Sequence, residues 1–95
     1  METEATLRKR LSMRAWRRGM REMDLILGPY ADAHLAAMDA GLLAKFDALL
    51  DQNDQDLLPW VLGQRPRPDG FAALLEDIAD FAGARLVRDS GRDLA

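Results

Sequence analysis

The chain has 95 residues, of which 48% are hydrophobic and 31% charged, a composition typical of one globular domain and not of a disordered chain. It contains no cysteine, which excludes disulfides, thiolate metal sites and thiol nucleophiles. The net charge of -3 is unevenly spread, because residues 1–22 carry seven basic side chains against three glutamates, whereas residues 23–60 carry seven aspartates against one lysine.

The first half of the sequence has helical spacing of apolar residues and almost no strand signal. Thr3 is placed to cap a first helix that ends near Gly19. A second helical run starts at Met20 and meets the Gly28-Pro29 pair, which we expect to stop, turn or kink it. Pro29 can open the next helix, whose apolar face includes Tyr30, Leu35 and Met38.

The second half predicts three more helical segments, the first a stripe from Leu42 to Leu50. A short helix follows, capped by Asp54 or Asp56, with Asp56 favoured because Pro59 is tolerated only in a first turn. After a loop at residues 63–70, a last amphipathic helix runs from residue 71 to 86. The sequence thus predicts an all-α fold, a compact bundle of about five short helices in residues 1–88, with a flexible C-terminal tail at residues 89–95.

Catalytic and cofactor signatures are missing from the sequence. No phosphate-binding glycine motif or nucleophile elbow occurs, and we expect His34, the only histidine, to be a plain surface residue. No apolar run approaches the roughly 20 residues of a membrane span. With a pI near 5.0, the basic first helix indicates a solvated or protein-docking face more than a nucleic-acid site. We therefore expect a soluble, cytoplasmic protein that is not an enzyme and binds neither membrane nor nucleic acid.

A first constellation spans the run Arg18, Gly19, Met20, Arg21 and Glu22. In one interpretation it is a helix with an Arg18–Glu22 pair, worth about 0.2–0.5 kcal/mol. A glycine inside a helix costs about 1 kcal/mol, which exceeds that gain. Gly19 therefore indicates a turn or the close approach of another backbone, and an exposed arginine and glutamate around it would form a docking surface.

A second constellation follows the polar stretch at residues 51–56 and consists of Asp54, Asp56 and Trp60. The structural interpretation is a helix cap, an acidic residue near the positive end of the helix dipole, and core residues. Trp60 can be either a core anchor or an interface residue.

These two constellations resemble the SdhE-type FAD assembly factor family. The matching features over residues 7–62 are RGMRE at 18–22, the following Asp24, the Gly28-Pro29-Tyr30 element and LLDQNDQDLLPW from residue 49. The chain departs from the family pattern at Gln55, where the family often has proline, and at Tyr30, where it often has phenylalanine.

The resemblance implies an assembly factor that binds the flavoprotein subunit of succinate dehydrogenase or fumarate reductase and promotes covalent attachment of FAD there. It implies no catalytic group, no stably bound cofactor, and a monomer that forms a transient heterodimer. Docking would be carried by Arg18, Gly19, Met20, Arg21 and Glu22, a surface that Asp54, Asp56 and Trp60 extend or shape. The alternative is an antitoxin-like regulator that acts on a different protein.

Overall fold

The computed structural model describes the backbone of residues 2–94 and the side chains of residues 2–84. Five α-helices follow one another: α1 (Glu4–Trp16), α2 (Arg21–His34), α3 (Ala40–Leu50), α4 (Asp54–Val61) and α5 (Ala72–Leu94). A short 3₁₀ turn, Leu35–Ala37, comes directly after α2. No strand occurs over residues 2–94, so the predicted all-α bundle of about five helices is confirmed.

The core forms around α2, which contacts α1, α4 and α5, while α1 also packs on α3. The apolar stripes predicted for the later helices face inward, since Leu43, Phe46, Leu75 and Ile78 are fully buried. Each such side chain contributes about 1.5–3 kcal/mol when buried. Leu42, which was predicted to belong to the α3 stripe, is instead exposed.

The Gly28-Pro29 pair neither stops the helix nor opens a new one, because both residues lie inside α2. These two sequence predictions are wrong, whereas the third alternative, a kink at this pair, stays a prediction. A glycine and a proline in a helix interior cost about 1 and 3 kcal/mol relative to alanine. The packing of this segment offsets that cost: Leu27, Tyr30 and Ala31 are all buried in the core. Burial of the neighbouring side chains in the core therefore keeps Gly28 and Pro29 helical, although their helix propensity favours a turn.

Tyr30 joins the second half of α2 to α5 through its ring and its hydroxyl. The hydroxyl donates a hydrogen bond to Asp77 at 2.5 Å, and burial together with this carboxylate raises the pKa of Tyr30. His34 stacks on the Tyr30 ring at 4.2 Å between centroids and meets the Phe81 ring edge-on at 5.1 Å. The prediction of a plain surface histidine is therefore wrong, because His34 is half-buried in an aromatic cluster.

The caps of the helices follow the sequence prediction at α1 but not at α4. Thr3 accepts a hydrogen bond from the backbone N–H of Thr6 at 3.1 Å and caps α1 as predicted. At α4 the cap is Asn53, which accepts from the N–H of Gln55 at 3.3 Å. Neither Asp54 nor Asp56 caps α4, since asparagine is an equally good cap and α4 begins at Asp54 itself.

The last helix, α5, runs to Leu94 and includes most of the segment predicted as a flexible tail. Side chains after Ala84 lie outside the described residues, and with them the last part of the amphipathic face predicted to run to residue 86. The flexibility of residues 89–95 therefore stays a prediction.

Candidate functional site

The first constellation forms the bend between α1 and α2 (residues 17–20). Gly19 has a φ of +89°, a left-handed conformation that side-chain-bearing residues rarely adopt, so the predicted bend at Gly19 is confirmed. A Cβ placed on Gly19 would meet nothing within 4 Å in this chain. A glycine at this position is therefore explained by the turn, because no other described part of this chain approaches its Cβ position closely.

Arg18 is held inside the protein by a set of contacts that we call the Arg18 clamp. Its Nε donates to Oδ1 of Asp54 at 2.9 Å, and Nη2 donates to the carbonyl of Gln52 at 2.7 Å. Its Nη1 donates to the carbonyl of Leu50. The backbone N–H of Arg18 donates to Oδ1 of Asp24 at 2.5 Å. The clamp thus fixes both the main chain and the side chain of the bend.

The expectation of an exposed Arg18 is wrong. The Arg18 side chain is only 10% exposed and that of its partner Asp54 only 13%. The alternative Arg18–Glu22 helical pair does not form either, because Arg18 precedes the first residue of α2. The ion pair instead joins residues 36 positions apart in the chain and ties the α1–α2 bend to the start of α4.

The second constellation is divided by the fold. Asp54 joins the Arg18 clamp, whereas Asp56 makes an exposed ion pair with Arg65 at 3.5 Å. Trp60 is partly buried and packs against the core, which favours the core role over the interface role. Its carbonyl accepts a hydrogen bond from Nε of Arg67 at 2.7 Å, which secures the end of α4.

Three of the predicted docking residues, Gly19 in the bend and Arg21 and Glu22 at the start of α2, are exposed, and we call them the predicted docking surface. Met20 lies between them but is half-buried and packs against the core. Among the described residues, the side chains of Arg21 and Glu22 make no ion pair or hydrogen bond. Both charges are therefore available to another molecule at the edge of a rigid bend.

Most other arginines near the bend are engaged within the chain. Nε of Arg8 donates to the carbonyl of Leu35 at 2.9 Å. Arg14 pairs with Asp47 and Asp51, each at 2.6 Å. Arg10 bonds Glu2 and Asp47, and these bonds raise its pKa. Asp47 in α3 and Asp51 directly after it thus balance part of the positive charge that the first 22 residues carry.

Within residues 2–84, no three histidine or acidic side chains gather into a group that could hold a metal ion. Among the helices described, none is long and apolar enough to cross a membrane.

Sequence reasoning missed the contacts that fix the bend. Asp24 had been noted only as part of a motif, and its bond to the Arg18 N–H could not be inferred from helical spacing because Arg18 lies outside α2. Trp16, the last residue of α1, lies over Gly28, and this position depends on how α1 crosses α2. The only local signal was a glycine in the middle of a helical run.

The chain matches one family model and is similar to proteins named as succinate dehydrogenase or FAD assembly factors. The family model for the "Flavinator of succinate dehydrogenase" matches residues 9–82. The chain is 35% identical over 86 residues to "Succinate dehydrogenase assembly factor 2, mitochondrial" of Schizosaccharomyces japonicus, a match that covers 88% of this chain and 60% of that protein. It is 34% identical over 65 residues to "FAD assembly factor SdhE" of Acetobacter pasteurianus, covering 68% of this chain and 60% of that protein.

The chain is also 35% identical over 68 residues to "Succinate dehydrogenase assembly factor 2, mitochondrial" of Schizosaccharomyces pombe, covering 72% of this chain and 49% of that protein. The chain therefore spans less than two thirds of the length of these relatives. The matched region, residues 9–82, contains the bend, the Arg18 clamp and the predicted docking surface. The chain belongs to the family of succinate dehydrogenase flavinators.

Proposed function

We propose that this protein is an assembly factor that binds the flavoprotein subunit of succinate dehydrogenase and promotes the covalent attachment of FAD to it. The observation that carries this proposal is the rigid bend, which presents Gly19, Arg21 and Glu22 at the surface while Arg18 is bound from within. Family membership supports this choice of partner, and the geometry of the bend supports this choice of surface.

The roles of the motif residues divide between contact and support. Arg21 and Glu22 present opposite charges that can pair with groups on the partner, and the bare backbone of Gly19 allows a close approach. Arg18 and Asp54 hold this surface in place through the clamp. A surface that is ordered before binding loses less conformational entropy on association, which favours affinity.

The chain acts on flavinylation without chemistry of its own in this proposal. Binding at the bend stabilises the conformation of the flavoprotein in which the histidine of that subunit can attack the flavin. The bond therefore forms entirely within the partner, and the adaptor contributes differential binding of one partner conformation.

We propose that the bend holds no resident flavin. In support of this, the guanidinium of Arg18, one group there that could bind a pyrophosphate, already donates to Asp54 and to two backbone carbonyls. We therefore assign FAD to the flavoprotein. We further propose that the complex is a transient heterodimer, that fumarate reductase is a second client, and that the chain acts in the cytoplasm.

The proposal can be tested by reconstitution. The purified flavoprotein subunit without covalent flavin is incubated with FAD, with or without this protein, and flavin fluorescence is followed on a denaturing gel. We expect faster covalent attachment with the wild-type protein and little acceleration with Glu22→Ala. The matched control is Glu76→Ala, because Glu76 is likewise exposed and without a bonded partner among the described side chains.

If the Glu22→Ala and Glu76→Ala variants accelerate covalent FAD attachment equally, the proposed docking role of Glu22 is wrong. No acceleration by the wild-type protein, combined with stable capture of a different protein, would support the regulator alternative instead.

A further inference from the structure

Trp16 is an exposed aromatic residue fixed in position at the edge of the bend. It is the last residue of α1, and its side chain is 40% exposed. A Cβ placed on Gly28 would lie 2.4–2.6 Å from three atoms of the indole, so the ring rests directly on the backbone of α2. The indole Nε1 donates a hydrogen bond to Oδ1 of Asp32 at 3.2 Å. The ring is thus held both on its face and at its edge.

Gly28, on which the indole of Trp16 rests, lies on the same face of α2 as Arg21 of the docking surface. Arg21, Leu25, Gly28 and Asp32 are spaced i, i+4, i+7 and i+11, which places them along one face of the helix. Seven residues of helix rise about 10 Å, so the indole lies roughly two turns from Arg21. Leu25 between them is 49% exposed. An apolar strip therefore continues from the charged end of α2 to Trp16.

We propose that Trp16 is a contact residue for the same partner, so that the docking surface extends along α2 from Arg21 through Leu25 to the indole. This inference rests on the proposed function. Its occupant is a segment of the flavoprotein subunit that places apolar side chains on the indole and Leu25 and a carboxylate on Arg21. Arg21, unlike Arg8, Arg14 and Arg18, has no acceptor within the described chain, so its positive charge favours a carboxylate of the partner.

The physical basis of the proposal is pre-organisation. Interface residues that contribute most to affinity are enriched in tryptophan and arginine. A ring that already rests on Gly28 and is bonded to Asp32 has little rotational freedom left to lose on binding. Gly28 has the specific role of making room, since any side chain there would displace the ring.

The direct test uses ¹⁹F NMR of the whole protein labelled with 5-fluorotryptophan. The chain has two tryptophans, so it gives two signals, and a Trp60→Phe variant identifies the one from Trp16. On addition of the unlabelled flavoprotein subunit, we expect the Trp16 signal to shift and broaden and to become less sensitive to replacement of H₂O by D₂O. A Trp16 signal that does not change at saturating partner would overturn the proposal.

Affinity measurements on matched variants give an independent test. Trp16→Ala should weaken binding at least tenfold. Gly28→Ala should weaken it as well, because the new Cβ displaces the indole by about 1 Å or more from ordinary contact distance. The control is Gly41→Ala, another helical glycine, where a Cβ would meet only Asp39 Oδ1 at an ordinary 3.6 Å.

The double variant separates ring displacement from general destabilisation. If Gly28→Ala acts through the indole, it should cause no further loss of affinity once Trp16 is alanine. Additive losses would contradict the contact role of the ring. The outcome is also separable from the proposed function: if the wild-type protein binds the flavoprotein and all Trp16 and Gly28 variants bind equally well, only this inference fails.

Discussion

The Arg18 clamp predicts that Arg18 and Asp54 act as one structural unit. Arg18→Ala would leave the Asp54 carboxylate mostly buried without its cation and would remove the donors to the carbonyls of Leu50 and Gln52. Breaking a buried ion pair by removing one partner costs about 3–5 kcal/mol. Because a domain of this size has only about 5–15 kcal/mol of stability in total, the loss should be large.

The assay is thermal and urea unfolding followed by circular dichroism. We expect Arg18→Ala to lower the Tm by at least about 12 °C, since 1 kcal/mol corresponds to roughly 4–8 °C in a domain of this size. Arg18→Lys should lose less, because lysine keeps the charge but cannot donate to three acceptors in fixed geometry. The matched control is Arg17→Ala, because Arg17 is exposed and makes no side-chain bond among the described residues.

A double-mutant cycle makes the prediction stricter. Once Asp54 is asparagine, Arg18→Ala should cost less than it does in the wild type, with a coupling energy of about 1–3 kcal/mol. A loss for Arg18→Ala no larger than that for Arg17→Ala, or a coupling energy near zero, would refute the clamp. In that case Arg18 would return to the set of contact residues.

Three further predictions concern the hydroxyl of Tyr30, the cap of α4 and the backbone of Gly19. The stability of the protein should fall above pH 10 by up to about 1.4 kcal/mol per pH unit, because the unfolded chain releases the Tyr30 proton at a lower pH than the folded one. Tyr30→Phe should lack this component in urea titrations. Asn53→Ala should cost about 1 kcal/mol in unfolding free energy, and Asp56→Ala clearly less, since only Asn53 caps α4. Gly19→Leu should remain folded by circular dichroism, lose about 1–2 kcal/mol from the strained φ, and fail to bind the flavoprotein subunit.

The sequence was informative wherever structure follows from residues close together in the chain. Thr3 at the cap of α1, Gly19 at a bend and the inward stripe with Phe46 are local features, and each lies where the pattern predicts. The helical class of the fold follows from the same periodicities.

The failures arise where a distant residue decides the outcome. Gly28 and Pro29 have poor helix propensity, but the core contacts of their neighbours keep them in α2. Arg18 has Glu22 close by in sequence, yet its partner is Asp54 in another helix. The spacing of residues along a helix cannot predict such contacts, because they depend on how the helices pack against each other. Arg18 and Asp54 were both predicted to belong to the docking site, but the ion pair between them was not predicted.

The central claim is that this protein promotes covalent flavin attachment through the surface at the bend. It is tested most directly by deleting its gene and measuring flavin fluorescence of the succinate dehydrogenase flavoprotein subunit on a denaturing gel. We expect the covalent flavin to be strongly reduced and to be restored by the wild-type gene and by Glu76→Ala, but not by Glu22→Ala. Covalent flavin at the normal level in the deletion strain would contradict the account.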